Sequence, residues 1–455
     1  MTESERPAEV RLDRAMGLLP ATATNIIGMV GVGPFLVIPF MITSMGGPHI
    51  LYAWAVGALL ALADGLVYAH LGAALPGSGG PYLYLREAYK PFGLGELMAF
   101  VFIFQTILVA PLGIASGGVG FADYLNFYWT DMTPLQHDLV AGAVCAAVTA
   151  MLWRHIEDVG KLAVVLLAVV FITVGWVVVA GLFRFSVAQA FAFPPQAFRL
   201  DGDLLSKLGA TSILAMYSYG GYNQVCNIGE EIKDPTRTMP RSIVLSIGVV
   251  ASLYMLMSTV ILGMVPWQEA KETRTIASVF IARTFADPGQ GQVAALLMTV
   301  LIQFVAAASL YAIILGYSRI PFTAARDGHF FSVFARVHPR KHFPHVSLLV
   351  VGLGSVPFCF FSLGQLASWT VQVQVLLCFI WQCAAGILLH RYRKDIQQPF
   401  KMWLYPLPAV ASFVLWLYIF FSGPKEGIYF SFAYLAAALA AFAAFKRARR
   451  AATRP

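Results

Sequence analysis

Apolar residues run along this chain in long, nearly unbroken blocks separated by short polar segments rich in basic residues. Twelve blocks stand out, at 19–45, 50–75, 95–122, 138–153, 160–183, 207–229, 242–265, 292–318, 345–363, 368–390, 403–422 and 428–446. About 20 apolar helical residues cross the hydrocarbon core of a bilayer, so the pattern predicts twelve membrane-spanning helices joined by short loops. Most of the blocks are uniform. Two carry helix-breaking residues near their midpoints: Gly28, Gly31, Gly33 and Pro34 in IIGMVGVGPFLVIP, and Gly220 and Gly221 in MYSYGGYNQVCNIGEE.

Composition narrows the class. Of 455 residues 58% are hydrophobic and 12% charged, with a net charge of +8; soluble proteins carry roughly 25% charged residues. A soluble enzyme is excluded, and so is a nucleic-acid binder, despite an isoelectric point near 9.2. With the N-terminus in the cytoplasm, all but seven of the 31 Lys and Arg fall on the cytoplasmic side, the exceptions being Arg184, Arg199, Lys207, Lys271, Arg274, Arg283 and Lys425. That asymmetry predicts a multi-pass protein of the cell (inner) membrane with both termini cytoplasmic. The charged start, MTESERPAEVRLDRAM, has no cleavable-signal pattern and is expected to be retained. The five cysteines all fall within predicted spans and read as small packing residues. No cofactor or metal is expected: His338, His342 and His345 share a basic loop without acidic or thiol ligands, and GSGG at 77–80 lacks the GK[ST] of a phosphate loop.

The two interrupted spans carry the chemistry. Backbone freed from helical hydrogen bonding at membrane depth is costly unless it lines a cavity or meets a ligand. Broken helices at matching positions in two halves of a chain mark the substrate site of a secondary transporter. If spans 1–5 and 6–10 are repeats, spans 1 and 6 are equivalent, and the odd count inverts the second copy. The competing reading is close helix packing, as at Gly113 and Gly117; the proline after GVG and the polar flanks Tyr219, Tyr222 and Asn223 favour breaks. A half-helix N-terminus suits a carboxylate, and unwound carbonyls suit an ammonium group. Two facing breaks would hold a zwitterion, of which an α-amino acid is the simplest.

Four segments carry a family resemblance: GVGPF at 31–35, YAHLGAALPGSGGPYLYLREAY at 68–89, YSYGGYNQVCNIGEEIKDPTRTMPRSI at 217–243 and GYSRIPFTAARDGHFF at 316–331. In this order they resemble the amino acid–polyamine–organocation superfamily over about 18–447, with Y-G-G-Y-N and E-E-I-K-D-P most similar to its L-type neutral amino acid transporters. The resemblance implies an all-α membrane protein of the leucine-transporter (LeuT) fold, a five-plus-five inverted repeat with two additional helices. Its parts would be a cytoplasmic tail 1–17, a first repeat 18–185, an extracellular loop 186–206, a second repeat 207–392, two further helices in 393–447 and a basic tail 448–455. It also implies sodium-independent alternating-access transport of amino acids, by exchange or proton coupling. The substrate site would be Val30, Gly31, Val32 and Gly33 in span 1 with Tyr217, Ser218 and Gly220 in span 6, Tyr217 capping the substrate and Asn223 helping to close the site. Three positions depart from the pattern: Val32 for Ser, Pro34 for Ile and His70 for Glu. G-P-F resembles the polyamine-transporting branch, so a polyamine or cationic amino acid is the alternative ligand, and a non-transporting amino acid receptor is the alternative of another class.

Charges inside the spans complete the candidates. Lys161 either snorkels to the surface or, as the resemblance implies, replaces the sodium ion of sodium-coupled relatives. Asp64 is an intramembrane carboxylate, a functional hypothesis by default or else a structural bond between helices. His70 titrates near neutral pH. Glu230 and Glu231 are candidates for a cytoplasmic gate with Arg237, Arg241 or loop arginines, and Gln105, Gln372 and Gln374 are candidates to face the cavity. The expected partners are the substrate and the lipid bilayer, in a monomer or weak homo-oligomer, with or without an accessory subunit. No HExxH or GxSxG motif or paired carboxylates point to an enzyme.

Overall fold

A computed structural model of the chain describes residues 14, 16–31, 33–77, 79–154, 159–195, 197–199, 202–339 and 343–452, with the backbone alone at 154, 159–166 and 451–452. Among these residues the fold is all-helical; the sole β feature is an isolated parallel bridge between Met16 and Ile232.

The first third of the chain forms α1 (Leu18–Met29), α2 (Gly33–Met45), α3 (Ile50–Ala74), the short α4 (Pro81–Tyr89), α5 (Gly95–Leu125), α6 (Pro134–Arg154) and α7 (Val159–Leu182). The middle forms α8 (Val187–Ala190), α9 (Gly202–Tyr219), α10 (Gln224–Asn227), α11 (Pro235–Met264), α12 (Trp267–Ala270), α13 (Ile276–Thr284) and α14 (Pro288–Arg326). The last part forms α15 (His345–Leu353), α16 (Leu363–Gln374), α17 (Ile380–Tyr392), α18 (Leu407–Ser422) and α19 (Lys425–Ala452). A π-helical segment, Val375–Phe379, joins α16 to α17. Local chemistry sets several starts. Proline occupies the first turn of α4, α11 and α14, where its missing N–H costs nothing. Asp287 caps α14 by accepting from the Gln290 amide, and Ser362 with Gln365 forms a capping box on α16.

Seven helical stretches among the described residues are long and apolar enough to cross a bilayer: α3, α5, α6, α11, α14, the continuous Leu363–Tyr392 and α19. The pair α1–α2 qualifies as one bent span, and Leu167–Leu182, His345–Phe360 and Leu407–Ser422 are shorter apolar helices. The helices overrun several expected bounds. α11 starts at Pro235 rather than 242, and α14 runs to Arg326 rather than 318. Hydropathy marks where the chain leaves hydrocarbon, whereas a helix continues into water as long as its last groups are capped or solvated. α3 packs against α11, α9, α18 and α17, α5 against α14 and α6, and α1 against α11, α7 and α10. Large apolar side chains remain exposed on the outer helix faces, among them Leu59, Met151, Ile172, Leu297 and Tyr429, as expected of a bundle whose solvent is lipid.

Candidate functional site

Both expected interruptions are present, and they touch. α1 and α2 meet at an angle of 44° across the break after Met29. The helix of the sixth block ends at Tyr219, turns through Gly220–Asn223 and resumes as α10. Gly221 has φ +119°, and a Cβ built on it would lie 2.4 Å from the Gly28 carbonyl carbon and 2.9 Å from the Met29 nitrogen. The contact is backbone against backbone, so only glycine allows it. Two side chains pin it. The Tyr254 hydroxyl of α11 is within hydrogen-bond distance of both the Met29 carbonyl (2.9 Å) and the Ser218 carbonyl (3.1 Å). Asn25 Oδ1 of α1 accepts from the Val225 amide at 2.9 Å.

Beside the breaks lies a cavity of about 160 Å³. Gly31, Gly33, Tyr217, Ser218, Gly220 and Asn223 line it, whereas Val30 does not and is buried in the core, 1% exposed. Val32 lies outside the described residues. At Gly33 a Cβ would sit 3.5 Å from both Ser218 Oγ and Tyr217 Cε1, bringing the start of α2 against the end of α9. The first amides of α2 have no partner within the helix, and Pro34 contributes none. Met29, Tyr217 and Ser218, at the ends of α1 and α9, line the same cavity, and their carbonyls accept from Gly31, Gly220 and Tyr254. Facing helices supply stripes at helical spacing, Gln105, Val109, Gly113 and Gly117 from α5 and Thr370, Gln374 and Cys378 from α16 and the π-helical segment. Gln105 is 3% exposed and its Oε1 has no hydrogen-bond partner, as is true of Thr370 Oγ1. Among the described residues no charged side chain lines the cavity.

The charged candidates lie elsewhere. Asp64 is fully buried and accepts from Tyr222 Oη (2.5 Å), Trp416 Nε1 (3.2 Å) and Cys383 Sγ (3.5 Å). His70 is buried with Nδ1 2.9 Å from the Phe400 carbonyl and its ring near His390 and Tyr405, away from the cavity lining. Gln372 also turns away, donating to the carbonyls of Phe420 and Pro424. The Lys161 side chain lies outside the described residues.

At the end of the bundle that holds α4, a polar clamp borders the cavity. Pro81 lines the cavity, and the adjoining Tyr82 hydroxyl lies 2.9 Å from His329 Nδ1 beyond α14. Arg393 donates to both the Glu87 carboxylate (2.8 Å) and the Glu87 carbonyl, and pairs with Asp395. Partial burial pushes the Glu87 carboxyl up, but hydrogen bonds from Arg393 and Arg86 outweigh it and hold the group below its ordinary value. Burial, reinforced by Arg86, pulls His329 down, which keeps the imidazole neutral at physiological pH and able to accept from Tyr82.

Sequence reasoning finds both breaks but misses what joins them. Tyr254 sits in a uniformly apolar block and Asn25 one turn before a break, and only Asn25, a polar residue in an apolar run, gives a signal. Glu87 and Arg393 lie over 300 residues apart in segments that read as ordinary polar loops.

A family model described as amino acid permease matches residues 16–443. The chain is 28% identical over 420 residues to cationic amino acid transporter 4 of Mus musculus, covering 86% of this chain and 62% of that one. It thus spans about three fifths of that relative's length. It is 32% identical over 349 residues to an uncharacterized transporter of Mycobacterium tuberculosis (76% and 73% of the two chains). It is 24% identical over 412 residues to the human cystine/glutamate transporter (89% and 79%).

Proposed function

Since this chain belongs to the amino acid permease family, we propose that it is a sodium-independent secondary transporter of neutral L-amino acids. It works by alternating access across the cell membrane, with both termini cytoplasmic and no enzymatic activity. The observation that carries this reading is the meeting of two broken helices beside a cavity whose described lining has no charged side chain. Amides at the start of α2 bind the substrate carboxylate, and the carbonyls ending α1 and α9 bind its ammonium group. A second charge on the substrate would be buried against neutral walls, and an unpaired buried charge is strongly disfavoured.

The finer architecture belongs to the same proposal. Joining α1 to α2, α9 to α10, α15 to its following turn and α16 to α17 yields twelve spans, arranged as a five-plus-five inverted repeat with α18 and α19 added. Tyr217 and Asn223 close the site over the substrate. Lys161 supplies a fixed charge in place of sodium, and the protein acts as a monomer or weak homo-oligomer.

A cationic amino acid or polyamine is the second reading. It is favoured by the name of the mouse relative and by Tyr217 and Tyr317 in the lining, whose ring faces attract cations. The deciding experiment is sodium-free uptake into proteoliposomes of labelled neutral amino acids, arginine and putrescine, with and without internal amino acid. Neutral uptake stimulated by internal substrate supports the proposal; uptake of arginine or putrescine alone replaces it with the second reading.

A further inference from the structure

We propose that Asp64 is a proton-binding site that couples proton movement to transport, acting on the break through Tyr222. The inference rests on the transport reading above and adds the group that carries the proton.

Asp64 is fully buried at mid-helix in α3, and all three side chains that reach its carboxylate are donors: Tyr222 Oη, Trp416 Nε1 and Cys383 Sγ. Among the described residues no Lys, Arg or His pairs with it. A purely structural role is served by a neutral acceptor such as Asn at lower desolvation cost. Here instead an acceptor-only carboxylate is held by neutral donors, an arrangement that leaves both protonation states within reach. Two of the donors, Tyr222 and Trp416, line the cavity, so one side chain separates the carboxylate from the substrate space.

The surroundings are otherwise quiet. Among the described residues, Tyr68 on α3 and Cys378 in the π-helical segment are the remaining titratable neighbours, and the tyrosine of α18, Tyr418, donates to the Leu205 carbonyl. α11 presents Ile243 and Ile247 beside Gly65, and its arginines lie in its first two turns. α9 presents Ala215 and Tyr219 against α3, and its Asp203 and Lys207 pair with each other at its far end. α2 contains no titratable residue. His390 and Arg391 of α17 lie at the end of that helix, two turns past Cys383.

The transfer balances through one hydroxyl. Tyr222 Oη takes a proton from a hydronium ion in the cavity, leaving water, while its own proton passes to Asp64 Oδ2, leaving tyrosine unchanged and the carboxyl neutral; release is the reverse. Once protonated, that oxygen becomes a donor and no longer accepts from Tyr222 as before. Tyr222 follows Gly221, whose backbone abuts Gly28, so the proton changes a bond one residue from the contact between the breaks.

The test uses the full chain in proteoliposomes with a labelled mixture of alanine, leucine, glutamine, arginine and putrescine. With acid outside, wild type should accumulate substrate toward about tenfold per pH unit, the limit for one proton per substrate. Asp64→Asn should lose gradient-driven accumulation while retaining exchange against internal substrate. Accumulation by the Asn variant at the wild-type level, or no response of wild type to the gradient while exchange proceeds, overturns the proposal. Absence of both accumulation and exchange in wild type defeats the transport reading and this one with it. If Asp64→Asn fails to fold, Trp416→Phe decides: losing a donor to the charged form should raise the pH midpoint of accumulation by about half a unit or more, and an unmoved midpoint overturns the proposal.

Discussion

Replacing Gly221 by alanine tests whether contact between the breaks is required. The new Cβ would lie 2.4 and 2.5 Å from the Gly28 carbonyl carbon and oxygen and 2.9 Å from the Met29 nitrogen. These are backbone atoms with no rotamer to escape into, so the two segments must separate by roughly 1 Å to reach ordinary contact. The left-handed backbone at φ +119° adds about 1–2 kcal/mol of strain for a non-glycine residue. Overpacking adds about 1–3 kcal/mol, so stability should fall by about 2–5 kcal/mol. A 1 Å misplacement of binding groups costs on the order of 100-fold in rate. The assay pairs proteoliposome uptake with thermal unfolding of the purified protein. Gly248→Ala is the control: it is a helical glycine with open space around it and no place in the cavity lining, and it should be neutral or stabilise by up to about 1 kcal/mol. Wild-type uptake by Gly221→Ala would mean that the breaks tolerate separation and that their contact is not required.

At Gly33 an added methyl makes only ordinary contacts with Ser218 and Tyr217, so Gly33→Ala should keep its melting temperature and lose uptake; unchanged uptake would remove Gly33 from the site. Lys161→Ala should abolish transport without creating a sodium requirement, and wild-type rate and pH dependence would instead mark it as a snorkelling lysine. The Glu87–Arg393 clamp has a definite pH sign. A carboxyl held below its unfolded value contributes stability above the ordinary carboxylate range, and that contribution is lost as pH falls through the lowered value. Protection of the α4 amides, taken relative to the intrinsic exchange rate at each pH, should therefore be high at neutral pH and fall as the Glu87 carboxyl is protonated in acid, and Arg393→Ala should show the lowered protection already at neutral pH. Equal exchange in wild type and variant would mean that the clamp does not hold α4.

Hydrophobic runs and glycine clusters were enough to foresee an all-helical membrane bundle with breaks in its first and sixth apolar blocks, because both follow from local chemistry. A bilayer admits only backbone whose polar groups are satisfied, so a run such as that of α5 must be helical. A proline after GVG, or a GG pair, interrupts a helix wherever it stands. The family motifs at 217–243 are equally local, and they placed Tyr217, Ser218 and Gly220 where the cavity is found. What α9 and α10 do with their neighbours was decided by packing. That Gly28 and Gly221 touch, that Tyr254 bridges two broken helices, and that Val30 faces the core depend on rotations and distances between helices that are separate in the chain. Asp64 shows the division in one side chain. Its presence in an apolar run is visible in the sequence, but its three donors come from residues 158, 319 and 352 positions away. Periodicity relates residues along one helix; which faces meet is set by the tertiary packing of many helices at once, and that packing brings the donors to the carboxylate.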